Sequence, residues 1–324
     1  MAPRPSNRTC TVLRGCALAG ALFLVASAVA RAEGAASTVT VSPANAASFS
    51  LLSYNVHGLF RLAAKDIPGA RSHTIGWLAS RYDVVLFQED FEYHRAIKKE
   101  MRGRRAFRGN GMRLDPRLVA VKALLLPARL FVPHFSPPYG AGLSAFADPA
   151  LVAEPAVARR RYKTCAGWVR SSGADCWASK GFLRVRLRTP GGAEVDVYNT
   201  HLDAGPSKAS LKARRRQLEQ LAAAIESLSP GQAVIVAGDF NCDFSRPGDG
   251  DALMAFRQRT ALEDSGAGPD LPFWRERDYV LYRSGAATGL SVEASGEAVE
   301  FVNGDRALSD HPALFVRFRA VPLS

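Results

Sequence analysis

The chain has 324 residues, with 42 Lys and Arg against 30 Asp and Glu, a formal net charge of +12. That length suits one large α/β domain or two small ones; no internal repeat and no Gly/Ser- or Pro-rich linker divides it, so one catalytic-size domain is expected. A basic surface draws nucleic acid or anionic lipid headgroups, but an Arg-rich solvated face explains the charge equally well, and charge alone names no substrate.

Arg4, Arg8 and Arg14 form a basic start, residues 16–30 are small and apolar, and Ala30-Arg31-Ala32 supplies a cleavage pattern. This reads as a secretory signal peptide over residues 1–32. The apolar run has 15 residues, whereas a bilayer-spanning helix needs about 20. No later segment is long and apolar enough to span. Removing 1–32 takes away four arginines and no acid, which lowers the charge from +12 to +8. A secreted or periplasmic location follows, and an oxidising compartment favours a disulfide. Cys165 and Cys176 are the near neighbours, and closing their loop contributes about 3 kcal/mol through loop-closure entropy. Cys242 is left as a buried thiol.

Residues 33–47, rich in Ala and Ser, are expected to be a flexible linker, with the folded domain over 48–324. A strand is predicted at about 49–56, a helix at 70–81, a buried strand in "DVVLFQ" and a helix at 91–102. The Pro-rich 103–140 stretch is irregular and carries ten Lys/Arg together with its approach, between Arg95 and Lys122. "GLSAFA" and "PALVAEPAVA" read as strands. "KGFLRVRLRT" and "AEVDVYNTHL" form a hairpin across Pro190-Gly191-Gly192. Leu211, Leu218, Leu221, Ile225 and Leu228 repeat at helical spacing over 208–228. Thereafter "QAVIVAGDF" is a strand, 251–259 a helix, and "DYVLYR" and "ALFVRFRA" are strands. Strands with interspersed helices and long loops indicate an α/β or α+β sandwich.

Five polar segments end these elements: "LLSYNVHG", "VVLFQED", "VDVYNTHLD", "AVIVAGDFN" and "LSDHP". Residues i and i+2 of a strand face the same way, which pairs Asn55 with His57 and Asp239 with Asn241. Glu89 closes a buried strand, where a carboxylate is costly unless it meets a cation or strong donors. Mg²⁺ commonly uses one or two carboxylates, with water and phosphate completing its octahedron. Glu89 is therefore the leading metal ligand, with Asp310 or Asn55 beside it. His311 with an orienting carboxylate can deprotonate water, while Asn241 and His201 neutralise phosphoryl oxygens. His57 and His94 read as structural or solvated, and Asp243, Asp249 and Asp251 as turn formers.

In this order the segments resemble the endonuclease/exonuclease/phosphatase superfamily of metal-dependent phosphoesterases, over about Phe49 to Phe318. The resemblance implies a four-layer α/β sandwich of two packed mixed β-sheets, deoxyribonuclease-like, with the active site at one edge. It further implies that Asp278 orients His311 and that Asp239 positions the attacking water or a second metal. Within the superfamily, "YKTCAGWVRSSGADCWASKGFLRVRL" followed by "YNTHLDAG" is similar to the secreted bacterial neutral sphingomyelinases, which carry a Cys-containing loop before an "A-x-K-G" step; Lys180-Gly181 match it. The similarity implies a sphingomyelinase C acting on phospholipid with Mg²⁺, or Mn²⁺ or Co²⁺, with peripheral membrane contact and as a monomer. Those relatives often carry an aromatic-tipped hairpin before the final "DH", whereas residues 284–308 contain one aromatic, Phe301. A secreted deoxyribonuclease-like enzyme acting on nucleic acid is the alternative, supported by the basic 95–122 region. A phosphomonoesterase and an inactive binding module follow.

Overall fold

Alternating burial in the first strand sets the layering. In β1 (Ala47–Asn55), Phe49 and Leu51 enter one core while Leu52 and Tyr54 enter another, the period of a strand covered on both faces. The next strand, β2 (Val84–Gln88), repeats this with Val84 and Leu86 on one side, Val85 and Phe87 on the other. The computed structural model describes residues 46–59, 68–111, 120, 140–152, 157–167, 175–266 and 277–323. The predicted signal peptide, most of the linker and the apolar 124–139 stretch lie outside the described residues.

In chain order, helices α1 (Pro68–Ala79) and α2 (His94–Glu100) flank β2, and β3 (Arg105–Arg108), β4 (Ser144–Ala147), β5 (Val157–Arg161), β6 (Gly181–Arg188) and β7 (Glu194–His201) follow. Then come α3 (Lys208–Leu228), β8 (Ala233–Asp239), α4 (Asp249–Thr260), β9 (Glu263–Asp264) and β10 (Asp278–Arg283). The chain closes with β11 (Thr288–Glu297), the two-residue strands β12 (Val302–Asn303) and β13 (Arg306–Ala307), and β14 (Leu314–Pro322). One six-stranded sheet has the order β11-β14-β1-β2-β4-β3, and the other β5-β6-β7-β8-β10-β9.

Between the sheets, Phe49, Leu51, Leu86 and Val316 meet Leu183, Val197, Ile235 and Ala237. On the outside of the first sheet Ile75, Leu78 and Ile97 of α1 and α2 cover Val85 and Phe87. On the outside of the second, Leu218, Leu221 and Ile225 of α3 and Leu253 and Phe256 of α4 cover Val234 and Val236. Helix, sheet, sheet and helix make the four layers expected from the sequence. Each sheet is mixed: β1 runs parallel to β2 and β7 parallel to β8, and the remaining pairings are antiparallel.

The parallel pairs position the site. Asn55 and Gln88 lie at the carboxyl ends of β1 and β2, and His201 and Asp239 at those of β7 and β8. Open α/β sheets bind ligands at such ends. A buried amide pair ties the sheets together just below, Gln88 Nε2 donating to Asn199 Oδ1 at 2.8 Å. Gly238, next to Asp239, has φ +143, and a Cβ there would stand 2.0 Å from the Thr200 carbonyl oxygen of β7. Only glycine lets β7 and β8 approach closely enough to bring His201 beside Asp239.

Two predicted elements differ, and the stretch read as irregular over 103–140 begins with the strand β3. "PALVAEPAVA" is not a strand throughout: Pro149–Leu151 is a short 3₁₀ turn capped by the Asp148 carboxylate on the Ala150 N–H, and the strand runs only from Val157 to Arg161. Helix 91–102 shortens to α2, seven residues, entered by Tyr93 without a side-chain cap. The polar, Gly-containing β11 was not foreseen; its pattern is weak because it is an edge strand held along its length by β14.

Candidate active site

The side chains of "NVH", "ED", "THLD", "GDFN" and "SDH" gather at one end of the sandwich. Register alone aligns three of them: His201 of β7 and Asp278 of β10 flank Asp239 of β8 on either side. The i, i+2 pairs converge for a different reason than strand pleating. His57, Glu89 and Asn241 have φ of +46°, +53° and +51°, so the chain turns sharply as each strand ends. These left-handed conformations cost non-glycine residues about 1–3 kcal/mol, and local bonds hold them. The His57 N–H donates to Asn55 Oδ1 (3.0 Å) and the Asn241 N–H to Asp239 Oδ1 (2.9 Å). The Gly58 N–H donates to the Glu89 carbonyl at 3.0 Å, a contact so close that a Cβ on Gly58 would lie 2.5 Å from that oxygen.

The site has a buried floor and an accessible rim. Asn55, His201, Asp239 and Asn241 are all buried. Asp239 Oδ2 accepts from Asn55 Nδ2 at 3.0 Å and lies 3.3 Å from His201 Nε2. Asn241 Nδ2 donates to the Leu202 carbonyl at 3.1 Å. Burial opposes ionisation of Asp239, but His201, His311 and Lys180 together outweigh it and hold the carboxyl well below the usual carboxylate range. On the rim, His311 Nδ1 and Asp278 Oδ2 are 2.7 Å apart, and the far nitrogen, Nε2, stands 3.9 Å from Asp239 Oδ2. Burial lowers His311, yet Asp278, then Asp239 and Asp310, push it up to about 10. Asp310 is the most exposed member, its side chain 61% accessible.

A raised histidine pKa stabilises the folded state fully below its ordinary 6.5, and that stabilisation is lost as pH climbs through about 10. In chelator, the free energy of unfolding is therefore expected to fall over this interval. Asp278→Asn should flatten the fall and move the His311 imidazole titration downward in NMR; an unmoved titration would remove Asp278 as its partner.

Among the described residues, Asp239, Asp278 and His311 offer ligand atoms within 4.8 Å of one another. Asp278 Oδ2 and His311 Nδ1 are already bound to each other, however, which suits a proton-transfer pair better than a metal cage. Glu89 is different: its Oε2 is buried and accepts no hydrogen bond. An uncompensated carboxylate oxygen of this kind fits a cation, as the position of Glu89 in the sequence suggested. Asn55 ends the neighbouring strand, paired with Gln88, and is engaged through both amide atoms, leaving one lone pair on Oδ1.

Lys180, which matches the "A-x-K-G" step and was read as a substrate-loop residue, lies under the site rather than on its rim. It is turned inward, 6% accessible, with Nζ 2.5 Å from Asp175 Oδ1 and donating to the Leu202 carbonyl at 2.7 Å. Burial works against its charge, but Asp175 and Asp239 more than restore it. Lys180 thus braces the floor electrostatically and cannot be reached from solvent. Cys165 and Cys176 are bridged, with Cα atoms 5.3 Å apart, and Asp175 sits beside the bridge. Cys242 is a free, buried thiol, pushed up to about 12 by burial and then Asp249. Phe301 is buried and meets the Tyr54 ring edge-on at 5.0 Å, so it is no membrane-facing tip.

Arg71 carried no motif and was missed. From α1 its Nη1 donates to the carbonyls of Val56 (2.6 Å) and Leu308 (2.9 Å), and its Nη2 to that of His57 (2.6 Å). Ser309 Oγ adds a bond to the Asn55 carbonyl at 2.7 Å. The guanidinium fork thereby joins the "NVH" turn to the "SDH" turn. Arg71→Lys keeps the charge but not the fork, and is expected to lower kcat at least about tenfold while Tm changes little; equal kcat would show that the turns hold without it.

The fold and site together define a deoxyribonuclease-like sandwich with a strand-end phosphoesterase constellation. The profile of the endonuclease/exonuclease/phosphatase family matches residues 52–311, and the chain belongs to that family. It is 31% identical over 308 residues to proteins named sphingomyelinase from Mycobacterium bovis and Mycobacterium tuberculosis, an alignment that covers 88% of this chain and 56% of theirs. The chain thus spans little more than half the length of those relatives. Sphingomyelinase C from Streptomyces griseocarneus superposes with a TM-score of 0.56 at 19% identity, over 84% of this chain and 99% of that one. A Staphylococcus aureus beta toxin variant with bound magnesium ions does so at 0.55 and 14% identity, over 85% and 99%. At these identities the two structures speak for the fold.

Proposed function

We propose that this chain is a secreted, Mg²⁺-dependent phosphodiesterase of sphingomyelinase C type that releases phosphocholine from sphingomyelin. The observation that carries the reaction class is the His311–Asp278 pair on the rim, its free nitrogen directed toward a buried, ionised Asp239, with the unbonded Glu89 oxygen at the neighbouring strand end. The likeness to the mycobacterial sphingomyelinases supports the substrate.

Glu89 and Asp310 would hold the cation, with Asn55 beside them. A bound divalent cation supplies Lewis-acid polarisation of a phosphoryl oxygen. His311 Nε2 takes a proton from the attacking water while Asp278 fixes the ring and favours the imidazolium that forms. In the isolated protein the high affinity of His311 for a proton opposes this role, and compensation of the Asp310 and Asp239 charges eases it. Asp239 orients the water, and Asn241 and His201 stabilise negative charge on the phosphoryl oxygens from the floor. Water bonds to phosphorus, the P–O bond to ceramide breaks, and the ceramide oxygen leaves with a proton.

Residues 1–32 serve as an export signal and 33–47 as a linker; the Cys165–Cys176 bridge agrees with an oxidising destination. One observation favours a nuclease instead. The edges β3 and β5 meet where Arg159 Nε bonds the Arg108 carbonyl, which gathers Arg105, Arg108, Arg159, Arg160 and Arg161 into an exposed basic rim. The two readings separate when purified residues 33–324 are given sphingomyelin liposomes and plasmid DNA in parallel, with Mg²⁺ and with chelator. Phosphocholine release that chelator stops supports the proposal; cleavage of DNA alone replaces it with the nuclease.

A further inference from the structure

We infer that the edge of the sandwich formed by β3, β5 and the adjoining α2 is a docking surface for anionic phospholipid membrane, and that it brings the strand-end site to the bilayer. The docking stands apart from the catalytic proposal; its use in presenting substrate rests on the phospholipid reading above.

Charge is divided between the two open edges of the sandwich. The edge strands β3 and β5 carry Arg105, Arg108, Arg159, Arg160 and Arg161, all exposed, and no acid. On the far side, β9 and β11 carry Glu263, Asp264, Glu293 and Glu297 and no Lys or Arg; those edges meet where Ser295 Oγ bonds the Ser265 carbonyl at 2.8 Å. Glu293 is met by Arg317 at 3.1 Å, whereas Arg105, Arg108, Arg159 and Arg160 meet no carboxylate among the described residues. A surface built only for solubility intersperses both signs. Here like charges are collected and fixed in place. Arg159 Nε donates to the Arg108 carbonyl at 2.5 Å, Arg161 Nη2 to that of Gly111 at 3.0 Å, and Arg108 Nη2 to that of Asp90 at 3.1 Å.

Helix α2 extends the surface with exposed Arg95, Lys98 and Lys99. Arg95 and Lys99 line, with Arg108, a cleft of about 780 Å³ in which Glu92 is the one carboxylate among the lining residues. Three cations around an open cleft fit a headgroup phosphate. Register places this edge level with the site. Arg108 faces Ser144, which faces Phe87, the last residue but one of β2. Arg161 faces Gly181, and the next residue, Phe182, faces Thr200, which precedes His201. Three strand spacings separate β5 from β8, so the basic edge comes within about 14 Å of Asp239.

The acidic far edge chooses between polyanions. A duplex laid across the site from the basic edge continues over β9 and β11 and meets their carboxylates. A bilayer approached by one edge meets the cations and leaves the acids facing water. Each Lys or Arg held near an anionic leaflet strengthens binding about fivefold, provided it lies within a Debye length, about 8 Å at physiological salt.

The test is co-sedimentation of the purified protein with phosphatidylcholine vesicles that contain about 30% phosphatidylserine or none, without sphingomyelin and in chelator. The unaltered protein should bind the anionic vesicles at least about tenfold more tightly, and the combined change Arg95→Gln, Lys99→Gln and Arg160→Gln should remove at least about tenfold of that affinity. A control that removes the same charge near the far edge, Arg306→Gln, Arg317→Gln and Arg319→Gln, should lose less than about twofold. Equal losses in the two variants would reduce the effect to net charge and overturn the location. No preference for the anionic vesicles would overturn the docking, as would tighter binding of a DNA duplex through Arg95, Lys99 and Arg160. With Mg²⁺, short-chain sphingomyelin dispersed as single molecules should be hydrolysed equally by the unaltered protein and the first variant; a slower variant would place these residues in the site itself and overturn the assignment. If neither hydrolyses it, the phospholipid reading fails by itself, and vesicle binding still decides the docking.

Discussion

Replacing His311 by alanine should lower kcat by at least about a hundredfold while leaving the melting temperature nearly unchanged in the presence of Mg²⁺. The residue sits on the rim, and the truncation removes no side chain from the three apolar cores. What is lost is the one imidazole that joins an orienting carboxylate, Asp278 at 2.7 Å, to a nitrogen facing Asp239. His201 cannot substitute: it is 1% exposed and already beside Asp239. Steady-state kinetics on sphingomyelin vesicles with parallel thermal melts decide the matter. Near-normal turnover would remove His311 from the proton transfer, and a collapsed melting temperature would make its role structural.

Glu89→Gln should have the second large effect. The substitution conserves size, so the turn held by the Gly58 N–H at the Glu89 carbonyl is retained, but the charge that an unbonded buried oxygen offers is gone. The Mg²⁺ concentration for half-maximal activity is expected to rise at least about tenfold, with a lower plateau. An activation curve that overlays that of the unaltered protein would show that the cation is held elsewhere. The Asp239, Asp278 and His311 cluster would then be the next candidate.

Much of this site was legible because it is built from short polar segments that end buried strands. "VVLFQ" buries every residue, so the emergence of Glu89 marks a place where a charge needs a partner. "AVIVAGD" does the same for Asp239. Asp278 and His311 could be paired only through the family resemblance, since the sequence separates them by 33 positions and nothing local joins them. Arg71 was invisible for a physical reason: it binds backbone carbonyls, whose positions no side-chain pattern records. His57 was set aside as structural or solvated because a lone histidine usually is, and the turn at φ +46 brings it near two acids. The burial of Lys180 beside the inward-facing Asp175 could not be read from its motif, because the aspartate that makes it possible carries no pattern of its own. The edge strand β11 escaped notice since half-exposed positions dilute its alternation.

Hydrolysis of sphingomyelin in water enriched in heavy oxygen, followed by mass spectrometry of both products, tests the proposed mechanism most directly. In-line attack of a His311-activated water at phosphorus puts one heavy atom into phosphocholine and none into ceramide. Label in ceramide, or turnover that yields no phosphocholine, would contradict it.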